Sequence, residues 1–202
     1  MPDRRAHQGK RDLALLHLLG SAGLRRAEAS AVIVGDVDER RRSSDPRLRQ
    51  AIKASTSWRV TVRYGKRGRT RAIPLDEDTL AAITARVKVR PAAATEHLLL
   101  SLSRTGQPPR PLATRDIARI VERYATAAGL PEDRRSPHVL RHTFCTHLAD
   151  SGADTAVIRE LAGHADIRTT TIYTAVSDAR LEHAIEARSR QRRGARRAAA
   201  GR

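Results

Sequence analysis

Two histidines, an arginine and a tyrosine (His138, Arg141, His164 and Tyr173) fall within 36 residues of a very basic chain. They stand in the runs Pro137-His138-Val139-Leu140-Arg141-His142, Leu161-Ala162-Gly163-His164 and Thr171-Ile172-Tyr173-Thr174. Breaking a phosphodiester requires neutralised non-bridging oxygens, a nucleophile, a base for it and an acid for the departing oxygen. The planar fork of an arginine suits the first task, because it bonds phosphate oxygens in pairs. A tyrosine hydroxyl can attack phosphorus, but with an ordinary pKa of about 10 it needs nearby cations to ionise. His138 and Arg141 are three apart at a helix start, so they share a face near that helix's positive end. A metal site is the other reading of His138, His142, Cys145 and His147. It is disfavoured because Val139 stands where a zinc hydrolase helix carries glutamate, and Arg141 would repel a cation.

These runs resemble the H-x-x-R, L-G-H and Y pattern of the tyrosine recombinases, the phage integrase family, in a Xer-like catalytic domain. Two earlier segments extend the resemblance. Gly23-Leu24-Arg25-Arg26-Ala27-Glu28 resembles the family's G-L-R-x-x-E, and Gly65-Lys66 precedes Ile73-Pro74-Leu75 as a hairpin lysine precedes its strand. With six positions in the right order, the resemblance covers about residues 11–187.

The resemblance implies that Tyr173 attacks the scissile phosphorus and becomes joined to a DNA 3′-phosphate. Arg25 and Arg141 would hold the non-bridging oxygens, Lys66 would protonate the leaving 5′-oxygen, His138 would help take the tyrosine proton, and His164 would hydrogen-bond the phosphate. Glu28 would support the site from behind. No cofactor and no metal is expected. The expected partner is double-stranded DNA, with four copies acting on two duplexes. A DNA-binding module that occupies recombination sites without cutting is the alternative. Three departures stand out: Ala162 where a second leucine is usual, Ala175 where histidine is common, and a long stretch from Arg40 to Thr56 before the hairpin. The family's usual N-terminal helical clamp domain has no counterpart, so residues 1–187 are read as a catalytic domain.

Composition agrees. Of 202 residues, 40% are hydrophobic but 2% aromatic, so Leu, Ile, Val and Ala must build the core, which favours helices. The net charge is +17. Seven arginines and no acid lie in 188–202, which reads as a disordered basic tail, and the excess left on the body argues for a polyanion. The single cysteine, Cys145, excludes an internal disulfide and fits a reducing, cytoplasmic setting. The run Leu13 to Leu19 mimics a signal peptide, but Asp12 and His17 make it a buried helix. No apolar stretch approaches the ~20 residues of a membrane span.

The elements that must position these side chains follow from periodicity and punctuation. Helices are expected at Arg11–Leu19, Arg25–Val32, Asp76–Arg90, Thr114–Gly129 with Thr114 as cap, Ser136–Gly152, and Asp154–Gly163. Short helices are expected around Tyr173 and from Asp178 to Ala187. The latter, with Leu181, Ala184 and Ile185 on one face, could pack on its own domain or on a neighbouring copy. Trp58, Val60, Val62 and Tyr64 alternate with polar residues, marking a strand, and Arg69 to Leu75 marks its return across the Gly65–Gly68 turn. Ser101 to Pro111 reads as loop. The fold class is therefore mainly α with a small antiparallel β-sheet, an α+β catalytic-domain fold.

Overall fold

The computed structural model describes residues 1–39, 58–63, 70–101, 107–163 and 178–200. The hairpin turn with Lys66, the stretch from Arg40 to Thr56, His164 and the segment around Tyr173 lie outside the described residues. In chain order the helices are α1 (His7–Gly20), α2 (Arg26–Ala31), α3 (Glu77–Lys88), α4 (Thr114–Ala127), α5 (Pro137–Asp150), α6 (Thr155–Ala162) and α7 (Asp178–Ala200). The strands are β1 (Val37–Glu39), β2 (Trp58–Val62), β3 (Arg71–Pro74), β4 (Leu100–Ser101) and β5 (Arg110–Pro111). The expected class holds: helices with small antiparallel sheets.

Helix α1 lies at the centre, packed against α2, α3, α4 and α5. Its Ala14, Leu15, Leu18 and Leu19 are all fully buried, at the three- and four-residue spacing of one helix face. Asp12 is also fully buried. Arg11 forks onto its Oδ1, while Arg123 (2.6 Å) and the Tyr124 hydroxyl (3.0 Å) donate to Oδ2. A carboxylate so furnished is tolerable inside a core, which explains how an acid can begin an otherwise apolar run.

The main sheet has the order β1-β2-β3, antiparallel throughout. Val37 faces Val60, and Val60 faces Ile73, so Val60 and Ile73 bury one face against the helices. Strand β1 forms because Val37 has an apolar partner across the ladder. Ser101 to Pro111 is not all loop, since Leu100 pairs with Pro111 and Ser101 with Arg110. Ala113, not Thr114, occupies the cap position of α4, and Thr114 is the first helical residue.

The largest correction concerns the C-terminal end. The segment from 188, expected as a disordered tail, continues α7 to Ala200. Leu181, Ala184 and Ile185 are buried against the chain's own domain, and Arg188 is only 1% exposed. Its guanidinium donates to the carbonyls of Ser21 (3.1 Å) and Gly20 (2.6 Å) and lies 4.9 Å from the centre of the Phe144 ring. Composition counted Arg188 as solvated charge; the carbonyls at the end of α1 give it a buried use. Among the described residues no helix is long and apolar enough to cross a membrane.

Candidate active site

The site begins with the turn between α1 and α2. Gly23 has φ +66°, and a β-carbon there would lie 2.3 Å from Phe144 Cδ1, so only glycine fits. The turn delivers Arg25 to the cap position of α2, in an extended backbone conformation. Glu28, three residues on, reaches back to the Arg25 amide (2.8 Å), which is one half of a capping box. Its other oxygen accepts from Arg25 Nη1 at 2.8 Å. The G-L-R-x-x-E spacing thus has a local cause: glycine for the turn, arginine at the cap, glutamate at the third helical position.

Pro137 opens α5. His138 is exposed on its first turn, while Arg141, one turn further, is 7% exposed and points inward. Arg141 donates from Nη1 to the Gly23 carbonyl and from Nη2 to the Ala162 carbonyl. Burial, followed by repulsion from Arg25, pushes it down to about 10, so it stays charged at neutral pH.

Helix α6 starts on an Asp154 cap, whose carboxylate accepts from the Ala156 amide at 2.7 Å. It ends at Gly163 in the left-handed conformation, φ +61°. The carbonyls at a helix end lack intrahelical partners and carry the negative end of its dipole. Here three consecutive carbonyls each meet a guanidinium from a different element. Leu161 accepts from Arg71 (3.2 Å), Ala162 from Arg141, and Gly163 from Arg25 (2.9 Å).

The structure therefore brings Arg25, Glu28 and Arg141 together at the end of α6, one residue before His164, and sets His138 on the exposed start of α5. Arg71 is the member the sequence reading missed. It bonds both oxygens of Glu28, at 3.0 and 2.8 Å. The available signal was strand alternation: Arg71 is in phase with Ile73, so it belongs to the buried face and requires an acid there. Burial favours the neutral form of Glu28, but the Arg71 and Arg25 bonds and the Arg71 charge outweigh it and hold the carboxyl at about 2. Three guanidiniums against one carboxylate leave an excess of two positive charges. Such a place suits a phosphate.

The mostly helical domain with its three-stranded sheet thus sets two of the expected arginines, Arg25 and Arg141, beside one helix end. The chain matches the phage integrase family over residues 2–180, and it belongs to that family. It is 35% identical over 185 residues to tyrosine recombinase XerD of Caulobacter vibrioides, covering 89% of this chain and 54% of that one. It is 36% identical over 175 residues to tyrosine recombinase XerC of Corynebacterium glutamicum, covering 87% and 50%. Among solved structures, XerA recombinase superposes with a TM-score of 0.60 at 25% identity, over 86% of this chain and 56% of that one. The Tn1549 transposon integrase in complex with circular intermediate DNA gives 0.52 at 26% identity, over 88% and 57%. The chain spans about half the length of the curated relatives it matches.

Proposed function

We propose that this chain breaks and rejoins DNA strands at specific sites through a covalent 3′-phosphotyrosine. The observation that carries the reading is the Arg25–Glu28–Arg141 arrangement, with its positive excess, at the carbonyl end of α6. A phosphodiester enters with one negative charge and gains another as an oxyanion attacks. Cations fixed before the reaction stabilise that gain without reorganising.

In this reading Tyr173 is the nucleophile. Its oxygen forms a bond to phosphorus as the P–O5′ bond breaks, its proton passes toward His138, and Lys66 gives a proton to the departing 5′-oxygen. Arg25, Arg141 and His164 hold the non-bridging oxygens. The phosphotyrosine conserves the broken ester, so a 5′-hydroxyl can reverse the steps and reseal a strand without a nucleotide. The partner is double-stranded DNA inside the cell. Four copies on two duplexes would pair the exchanged strands.

The test is an SDS gel of the protein with nicked, labelled duplexes and with supercoiled plasmid at low salt, beside Tyr173→Phe. A labelled adduct or relaxed plasmid from the unsubstituted protein alone is the expected result. Salt-sensitive binding by both proteins without an adduct would replace strand cleavage with a non-cleaving DNA-binding role.

A further inference from the structure

Arg71 belongs to none of the six positions above, yet its side chain donates three hydrogen bonds in the site, against two each from Arg25 and Arg141. It opens β3, and its side chain is 8% exposed. Its fork grips both oxygens of Glu28 while its Nε donates to Leu161. A β-carbon on Gly163 would lie 2.7 Å from its Nη1, so the guanidinium is packed against the turn that leads to His164. Arg25, by contrast, is bonded to one Glu28 oxygen through Nη1 and keeps its side chain 30% exposed. One arginine faces solvent, where a phosphate would arrive. The other is enclosed behind it.

We propose that Arg71 is a positioning residue for the phosphate chemistry: it locks Glu28 and the end of α6 into one arrangement, fixing Arg25 relative to the backbone that enters His164. The inference rests on the strand-cleavage reading above. Bidentate guanidinium–carboxylate pairs carry angular as well as radial constraint, which a single ammonium contact does not. Since Arg71 also starts the strand that follows the Lys66 turn, the same contact sets that hairpin's base against the arginine pair.

The pH dependence follows from who faces Glu28: Arg25 at its own helix cap, Arg71 from β3 and Arg141 from α5. Without Arg71, burial pushes the carboxyl upward against Arg25 and Arg141 alone. Cleavage should then acquire an acid limb, lost as pH falls through the raised value.

The experiment uses the full chain with Arg71→Gln and Arg71→Lys. It measures duplex affinity, single-turnover cleavage of a nicked duplex at saturating protein across mildly acid to neutral pH, and the Glu28 carboxyl titration by NMR. The glutamine variant should cleave on the order of 30-fold more slowly with affinity within about 3-fold, the pattern of an interaction that matters in the transition state. It should also show the acid limb, and lysine should restore part of the rate. If the glutamine variant does not fold, the lysine variant should still cleave more slowly than the unsubstituted protein at unchanged affinity, and an unchanged rate overturns the proposal. Cleavage within about 3-fold of the unsubstituted rate, or equal losses in affinity, melting temperature and rate, overturns the proposal. A protein that binds but never cleaves counts against the strand-cleavage reading instead. The NMR titration then decides Arg71, because a Glu28 titration unmoved by Arg71→Gln overturns its role.

Discussion

The C-terminal ends of α1 and α6 both carry guanidinium caps, but they are matched to different degrees. At α6, Arg25, Arg71 and Arg141 each take one carbonyl, and Glu28 pairs with two of them through direct bonds of 2.8 to 3.0 Å. At α1, Arg188 takes the Gly20 and Ser21 carbonyls and Arg192 takes the Ser21 hydroxyl. The acid there, Asp76, stays 4.0 Å from both arginines. Asp76 Oδ2 and Arg188 Nε are buried with no hydrogen-bond partner among the described residues. A matched fork fixes geometry, whereas charges held at a distance fix little more than location. The first end is built for positioning and the second for docking a helix.

The largest expected difference between them is catalytic. Arg141→Ala should slow adduct formation by on the order of 10²–10³-fold, while Arg188→Ala should remain within about 10-fold. Comparable losses in a single-turnover assay would erase the distinction. Next comes stability. Glu28→Gln leaves Arg71 and Arg25 without their carboxylate and should cost about 3 kcal/mol in urea unfolding, the usual range for breaking a buried pair. The same group predicts an acid effect. Because its folded pKa, about 2, lies below the ordinary 4.5, its contribution is complete above 4.5 and vanishes as pH falls through about 2. The gap between the unsubstituted protein and Glu28→Gln should therefore close over that interval, and a gap constant with pH would contradict the assignment.

A glycine pair gives a smaller contrast. Gly152 and Gly163 both have positive φ, but a β-carbon meets open space at Gly152 and Arg71 at Gly163. Gly152→Ala should cost about 1–2 kcal/mol from backbone strain alone. Gly163→Ala should cost about 1 kcal/mol more, with slower cleavage, since it displaces the guanidinium. The smallest effect belongs to Asp76→Asn, at or below about 1 kcal/mol. The amide oxygen can still accept from Thr79, which now donates to Asp76 Oδ1 at 2.8 Å. A loss as large as that of Glu28→Gln would show the two ends to be equally matched.

Much of this arrangement was legible in sequence because it is local. The helix expected over Arg25–Val32 meets α2, Pro137 predicts the start of α5, and Asp154 with Gly163 predicts both ends of α6. The alternation of Trp58, Val60 and Val62 predicts β2. What was not legible is pairing across long separations. Val37 becomes a strand residue only because Val60 lies opposite, and Arg71 finds its purpose 43 residues away in Glu28. Arg188 was counted as solvated charge because composition cannot see the carbonyls of Gly20 and Ser21, 168 and 167 residues earlier.

The cap on α6 also orders events during synthesis. Arg25 must wait for Gly163, 138 residues downstream, and Arg71 must wait for Leu161, 90 residues downstream. At about 5–20 residues per second, translation of the 138 residues between them separates Arg25 from its anchor by roughly 7–28 s. Throughout that interval the growing chain holds Arg25 without the carbonyl of Gly163 that orients it. The cluster of charges at the end of α6 is thus completed late. A nascent fragment that stops short of α6 has Arg25 and Arg71 but not the carbonyls that orient them.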